Sequence, residues 1–238
     1  MTDQVKLSPV SANNITNIYI VADIFGITPA LLELKDELAT SLALANKSVS
    51  FIIIVDPYQG QQMNFDNETN AYEYFIERVG VEKYAQHLYS ILSNQTINLL
   101  NKSQNSLKAK TRAKTKAKTK AKTKVIGFSV GAAAMWSISD KDNLNVEQAI
   151  YFYGSQIRHL THIHPKMEST VVLPAMEEHF DLDVLQERLE NLSLISIKRS
   201  RFYHGFMNKK SINFDPQAYR TYNAWLFEEL TRPRGLLS

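Results

Sequence analysis

Gly127-Phe128-Ser129-Val130-Gly131 decides how this chain is read. The apolar run Val125-Ile126-Gly127-Phe128 enters the serine as a strand would, and a helix-forming run from Val130 to Trp136 leaves it. Strand, tight turn and helix around G-x-S-x-G form the context of a nucleophile elbow. The turn strains the serine backbone. A glycine two residues to either side keeps neighbouring side chains apart while Ser129 Oγ stands exposed at the strand end. The five letters alone recur by chance in about one chain in ten of this length at average Gly and Ser usage. The strand and helix around them, and the residues downstream of the elbow, therefore carry the weight.

Three apolar, β-rich runs come after the elbow: Ala149-Ile150-Tyr151-Phe152-Tyr153, Thr170-Val171-Val172-Leu173-Pro174 and Leu194-Ile195-Ser196-Ile197. The second runs into Ala175-Met176-Glu177-Glu178-His179-Phe180-Asp181, and the third is followed by Arg201-Phe202-Tyr203-His204-Gly205-Phe206. An α/β-hydrolase carries its triad in the chain order serine, acid, histidine. Here carboxylates follow the second strand after the serine and a histidine follows the third, the places that fold gives to acid and base. Ser129, Glu178 and His204 are the expected nucleophile, acid and base. Glu177, Asp181 and Asp183 stand close to Glu178 and compete for the acid's role.

From about Ile18 to Leu230 the chain resembles the dienelactone hydrolase family. Asp23-Ile24-Phe25-Gly26 is similar to the family's Glu-Ile-Phe-Gly, and Val55-Asp56-Pro57-Tyr58 to its Pro-Asp-Leu-Tyr. Tyr153-Gly154, Glu178-His179-Phe180 and His204-Gly205-Phe206 resemble its Tyr-Gly, Asp-His-Phe and histidine motifs. The segment from Ala218-Tyr219 to Ala224-Trp225 resembles its closing helix. The departures are informative. The namesake enzymes have a cysteine in the elbow, but this chain has none. Ala132 stands where a second glycine is usual, and Asn208 stands where the namesake enzymes have an arginine. The resemblance implies acyl transfer to water, with Val130 and Ile24 supplying oxyanion-hole N–H groups and Asp23, Tyr58 and Tyr153 near the substrate.

Composition fits one α/β domain: 238 residues with 44% hydrophobic content can enclose a substantial core. The polar stretch from Met1 to Asn14 lacks the apolar region of a signal peptide, and Phe51–Val55 is far too short to cross a bilayer. Together with the absence of cysteine, this sets a cytoplasmic expectation, with no membrane partner. The net charge of +3 conceals an asymmetry, because eight lysines and one arginine lie between Lys108 and Lys124. They form Ala-Lys-Thr-Arg and then three copies of Ala-Lys-Thr-Lys, and without them 18 basic residues face 24 acidic ones. Interspersed aromatics for base stacking are missing, so the tract reads as a solvated basic insert at 108–124 rather than a nucleic-acid site.

Strands are expected at Asn17–Ala22, Val49–Val55, Lys124–Phe128, Gln148–Tyr153, Thr170–Pro174 and Leu192–Lys198. Helices are expected at Pro29–Ala45, Glu68–Val79, Val81–Leu99, Val130–Ser139, Leu182–Leu192 and Asp215–Leu230. Alternation of this kind gives an α/β-hydrolase fold, a mostly parallel sheet of about six to seven strands covered by helices on both faces. Asp23-Ile24, Asp56–Tyr58, Ser129, Tyr153, Glu178 and His204 then gather after strands at the carboxyl edge of the sheet. His159, His162 and His164 invite a metal reading, but no carboxylate or thiol joins them at close spacing and Pro165 marks a loop. No metal or other cofactor is expected. The expected activity is hydrolysis of a small carboxylic ester or lactone. The rival is a non-catalytic binding protein of the same fold that uses its basic insert on an acidic partner. The sequence leaves the oligomeric state open.

Overall fold

The computed structural model describes residues 16–93 and 122–232. In chain order the elements are β1 (Thr16–Val21), α1 (Pro29–Leu44), β2 (Val49–Val55), α2 (Glu68–Arg78) and a helical stretch, α3, over residues 80–93. Then come β3 (Lys122–Phe128), α4 (Val130–Ser137), β4 (Gln148–Phe152) and a short 3-10 helix (Ser155–His159). The chain closes with β5 (Glu168–Leu173), α5 (Leu182–Glu190), β6 (Ile195–Arg199) and α6 (Pro216–Thr231). The strands make one six-stranded sheet in the order β2-β1-β3-β4-β5-β6, and every neighbouring pair is parallel. The α/β-hydrolase architecture expected from the sequence is thus observed. The expected helix Val81–Leu99 is helical through residue 93, and its remainder lies outside the described residues.

Strand side chains alternate between faces, so one apolar run supplies two cores. Tyr19, Val21, Val125, Tyr151 and Val171 face a cluster completed by α2, α3, α4 and α5. Ile18, Ile20, Ile126, Phe128, Ile150 and Phe152 face the other, completed by α1 and α6. β4 is buried along its whole length, whereas the edge strands β2 and β6 are only partly covered. Local chemistry sets the helix starts. Thr28 and Asp215 accept N-capping bonds from the N–H groups of Leu31 and Ala218 at 3.2 and 2.7 Å, each directly before a proline. Among the described residues no helix is long and apolar enough to cross a membrane.

From β1 the chain steps outward to β2 and then returns past β1 to β3. The strand order reverses between β1 and β3. Open α/β sheets bind ligands in the crevice beyond the carboxyl ends at such a reversal. Asp23 and Ile24 leave β1 there, and Ser129 leaves β3.

One boundary differs from the sequence expectation. The basic insert is expected to run through Lys124, but Lys122, Thr123 and Lys124 are the first residues of β3, paired with Thr16, Asn17 and Ile18. Lys124 is buried, and its Nζ donates to the Leu230 carbonyl at the end of α6 at 2.8 Å. Lys122 Nζ pairs with Glu147 Oε1 at 2.5 Å. A long aliphatic stem lets a lysine lie in a strand and still deliver its charge to a partner. The expected insert residues 108–121 lie outside the described residues. Lys124→Met keeps the stem and withdraws the donor from the Leu230 carbonyl. It should lower urea-unfolding stability by about 1–3 kcal/mol. Deleting 109–124 should lower the Tm more than deleting 109–120, because only the longer deletion removes these anchors.

Candidate active site

The elbow is built by close approach. Ser129 sits at φ 49° and ψ −115°, left-handed backbone that a non-glycine residue adopts only under constraint. A Cβ on Gly131 would lie 2.5 Å from the Val21 carbonyl oxygen, and one on Gly127 would lie 2.7 Å from Ala132 Cα. Both glycines are therefore obligatory: they let α4 start directly against the ends of β1 and β3. Ala132, where the family usually has glycine, fits because Gly154 leaves it room. A Cβ at Gly154 would come within 3.0 Å of Ala132 Cβ. Serine is a favoured N-cap, yet the Ser129 hydroxyl makes no capping bond to α4. It lies 3.0 Å from His204 Nε2 instead.

His204 follows β6, and its Nδ1 lies 2.8 Å from Glu177 Oε1. A carboxylate can only accept, so His204 Nδ1–H donates to Glu177 and Nε2 is left to accept from Ser129 Oγ–H. The carboxylate against the imidazole is therefore Glu177 and not the expected Glu178. Glu178, expected from its match to the family's aspartate, is exposed, whereas the Glu177 side chain is only 13% accessible. The loops leaving β5 and β6 are stitched together by Ala175 N–H donating to the Phe202 carbonyl at 2.7 Å. Glu177, two residues beyond that tie, turns under the imidazole. The remaining candidates are engaged elsewhere: Asp181 caps α5, and Asp183 pairs with Arg199 at 3.2 Å.

Val130 is the first residue of α4, so its N–H has no helix carbonyl to reach. Ile24 lies in a loop held from below. Tyr58 Oη donates to the Ile24 carbonyl at 2.6 Å, and Asp56 accepts from the N–H groups of Tyr58 and Gly60 at 2.8 and 2.9 Å. Tyr84 Oη lies 3.0 Å from the Ala22 carbonyl and 2.8 Å from that of Val55, tying the exits of β1 and β2 together. Burial holds both phenols well above their ordinary pKa, so they remain neutral donors. Tyr58 is therefore a brace for the Ile24 loop rather than the substrate contact expected of it, because its hydroxyl points at backbone. Tyr84 escapes sequence reasoning, because there it reads as an ordinary apolar helix position.

Asp23 and Tyr153 line a cleft together with Thr28, Leu31, Phe128, Met207 and Asn208. The Tyr153 ring stands 5.0 Å from the His204 ring, on backbone with a positive φ of 38°. Asp23 keeps an edge open to the cleft, yet burial of its carboxyl pushes the pKa up to about 6. The Phe25 N–H at 3.0 Å and Asn208 Nδ2 at 2.6 Å oppose that rise. In the sequence Asn208 marks only the place of a missing arginine; in the structure it is the direct partner of Asp23. His159, His162 and His164 do not converge on a common point. Among the described residues, no group of three or more His, Cys, Asp or Glu side chains is arranged to hold a metal ion.

The model of the dienelactone hydrolase family matches residues 3–228, and the chain belongs to that family. An uncharacterised Bacillus subtilis protein, YczH, is 33% identical over 93 residues, 38% of this chain and 45% of that protein. The match thus spans less than half the length of this curated relative. Among solved structures, Est1E from Butyrivibrio proteoclasticus superposes with a TM-score of 0.52 at 7% identity, covering 93% of this chain and 91% of its own. The Pyrococcus furiosus esterase Pf2001 also gives 0.52, at 12% identity over 94% of this chain and 85% of its own. At these identities the likeness is one of fold.

The geometry predicts an asymmetry between adjacent residues. Glu177→Gln should slow covalent labelling of Ser129 by a fluorophosphonate by about 10²- to 10⁴-fold, as expected when the group orienting the imidazole is lost. Glu178→Gln should label within about twofold of the parent, a barrier change under ~0.5 kcal/mol.

Proposed function

We propose that this chain is a serine hydrolase that cleaves a small carboxylic ester or lactone. The observation that carries the reading is the continuous path from Ser129 Oγ through the His204 ring to Glu177, at 3.0 and 2.8 Å, rooted in a strained elbow. Ser129 Oγ attacks the acyl carbonyl while His204 Nε2 takes its proton. Glu177 holds the imidazole tautomer and stabilises the imidazolium that forms. The N–H groups of Val130 and Ile24 receive the oxyanion. His204 then returns the proton to the leaving alkoxide oxygen. Water, deprotonated by the same imidazole, attacks the acyl carbon; the acyl–Oγ bond breaks, the acid departs, and His204 returns the proton to Ser129 Oγ. In a lactone the leaving alcohol stays tethered to the acyl group, so one hydroxy acid departs after deacylation.

Family membership supports hydrolysis as the reaction class. With no cysteine in the chain, the nucleophile is an alcohol rather than a thiol. A serine needs a general base to be reactive, and that raises the importance of the His204 contact. Substitution tests this directly. Ser129→Ala and His204→Ala should each reduce ester kcat/KM by at least about 10³-fold while leaving the thermal unfolding midpoint near that of the parent, because such groups act as a unit. Retention of parental activity by Ser129→Ala on every ester tried would contradict the proposal.

A further inference from the structure

Among the described residues lining the cleft beside His204, Asp23 is the one that carries a formal charge; its companions, Thr28, Phe128, Tyr153, Met207 and Asn208 among them, are apolar or uncharged. The amide of Asn208 leans on that charge rather than replacing it. Its Oδ1 accepts from the Lys210 N–H at 2.8 Å, which fixes the orientation of the group, and one of its two Nδ2 N–H bonds is donated to Asp23 Oδ2 at 2.6 Å. The nearest lysines in sequence are turned away. Lys209 pairs with Glu33 at 2.6 Å and lies over the Tyr219 ring, and Lys210 is exposed. The Thr28 hydroxyl oxygen accepts the capping bond from the Leu31 N–H of α1. The one formal charge on the cleft lining is thus negative, in surroundings where low polarity lengthens the reach of that charge.

We propose that Asp23 selects substrates by charge: the substrate group that lies beside it is uncharged or cationic, and an ester or lactone carrying an anion there is rejected. The proposal rests on the hydrolase reading above and names its substrate class. Asp23 acts on substrate through space and takes no part in proton transfer. Its neighbours from every packed element are Glu68 on α2, Asp56 and Tyr58 after β2, Tyr84 on α3, Tyr153 after β4, and His204 and Asn208 after β6. Burial is the largest influence on the Asp23 carboxyl and sets its pKa at about 6. Selection should be full well above that pH and fade as the pH falls through it, as the carboxyl becomes neutral.

Two series of activated esters test the proposal, one varying the acyl end and one the alcohol end. Each carries a terminal trimethylammonium, methyl sulfone or sulfonate, groups whose charge does not change between about pH 5 and pH 8. At pH 8, kcat/KM for the sulfonate should fall about tenfold or more below the neutral sulfone in at least one series. The ratio should approach unity as the pH drops through about 6. The His204 requirement applies equally to both substrates and cancels in that ratio. Asp23→Asn should bring the ratio toward unity at pH 8. If that variant does not fold, the pH dependence of the ratio in the parent decides. A ratio near unity in both series at pH 8, or one that neither pH nor Asp23→Asn moves, overturns the proposal while leaving the hydrolase intact. Absence of turnover on every ester overturns the hydrolase reading, and this proposal with it.

Discussion

The positive φ of Ser129 is the constraint on which the rest of the site depends. A residue held there costs on the order of 1–3 kcal/mol and persists only where its surroundings over-determine it. They do so here. Ser129 N–H is fixed to the Phe152 carbonyl at 2.9 Å, and α4 begins at the next residue with its backbone against the ends of β1 and β3. The strain turns the hydroxyl out of its usual capping role and toward His204. Gly127 and Gly131 make that turn sterically possible, so five residues of sequence fix where β1, β3 and α4 must meet.

Around the elbow the fold invests in positioning. The backbone around Ile24 is irregular, so its carbonyls find no partner in a strand or helix ladder. They are held instead by phenols from two separate elements, Tyr58 after β2 and Tyr84 on α3. Both phenols are buried and neutral, which lets them donate to carbonyls close to Asp23 without adding charge. Tyr153 repeats the pattern of the elbow, a positive φ at the carboxyl end of a strand, and its ring both lines the cleft and packs against His204. Two of the strained backbones in the molecule therefore flank the same few atoms.

Strand periodicity made most of this legible in advance. The alternation in Ile18-Tyr19-Ile20-Val21 splits cleanly between the two cores, and the order serine, acid, histidine relative to the strands points to the sheet edge where Ser129 and His204 meet. The misreadings have physical causes. Glu177 and Glu178 lie in a loop, where no repeat decides which side chain turns inward; the tie from Ala175 to Phe202 that decides it joins segments 27 residues apart. Lys122-Thr123-Lys124 looks like the end of a solvated tract because charge dominates composition. Burial of Lys124 depends on the end of α6, more than a hundred residues away, supplying a carbonyl. Tyr58 carries the same letter whether its hydroxyl meets substrate or backbone.

The central claim is that Ser129 becomes acylated, and the covalent intermediate tests it most directly. Protein mixed with an excess of an activated acetate ester and quenched in acid within milliseconds should carry up to about one acetyl group per chain, on the peptide containing Ser129. Its decay should match steady-state turnover if deacylation limits the rate. Turnover accompanied by acetylation of a different residue, or turnover undiminished in a Ser129→Ala chain that forms no adduct, would contradict the account.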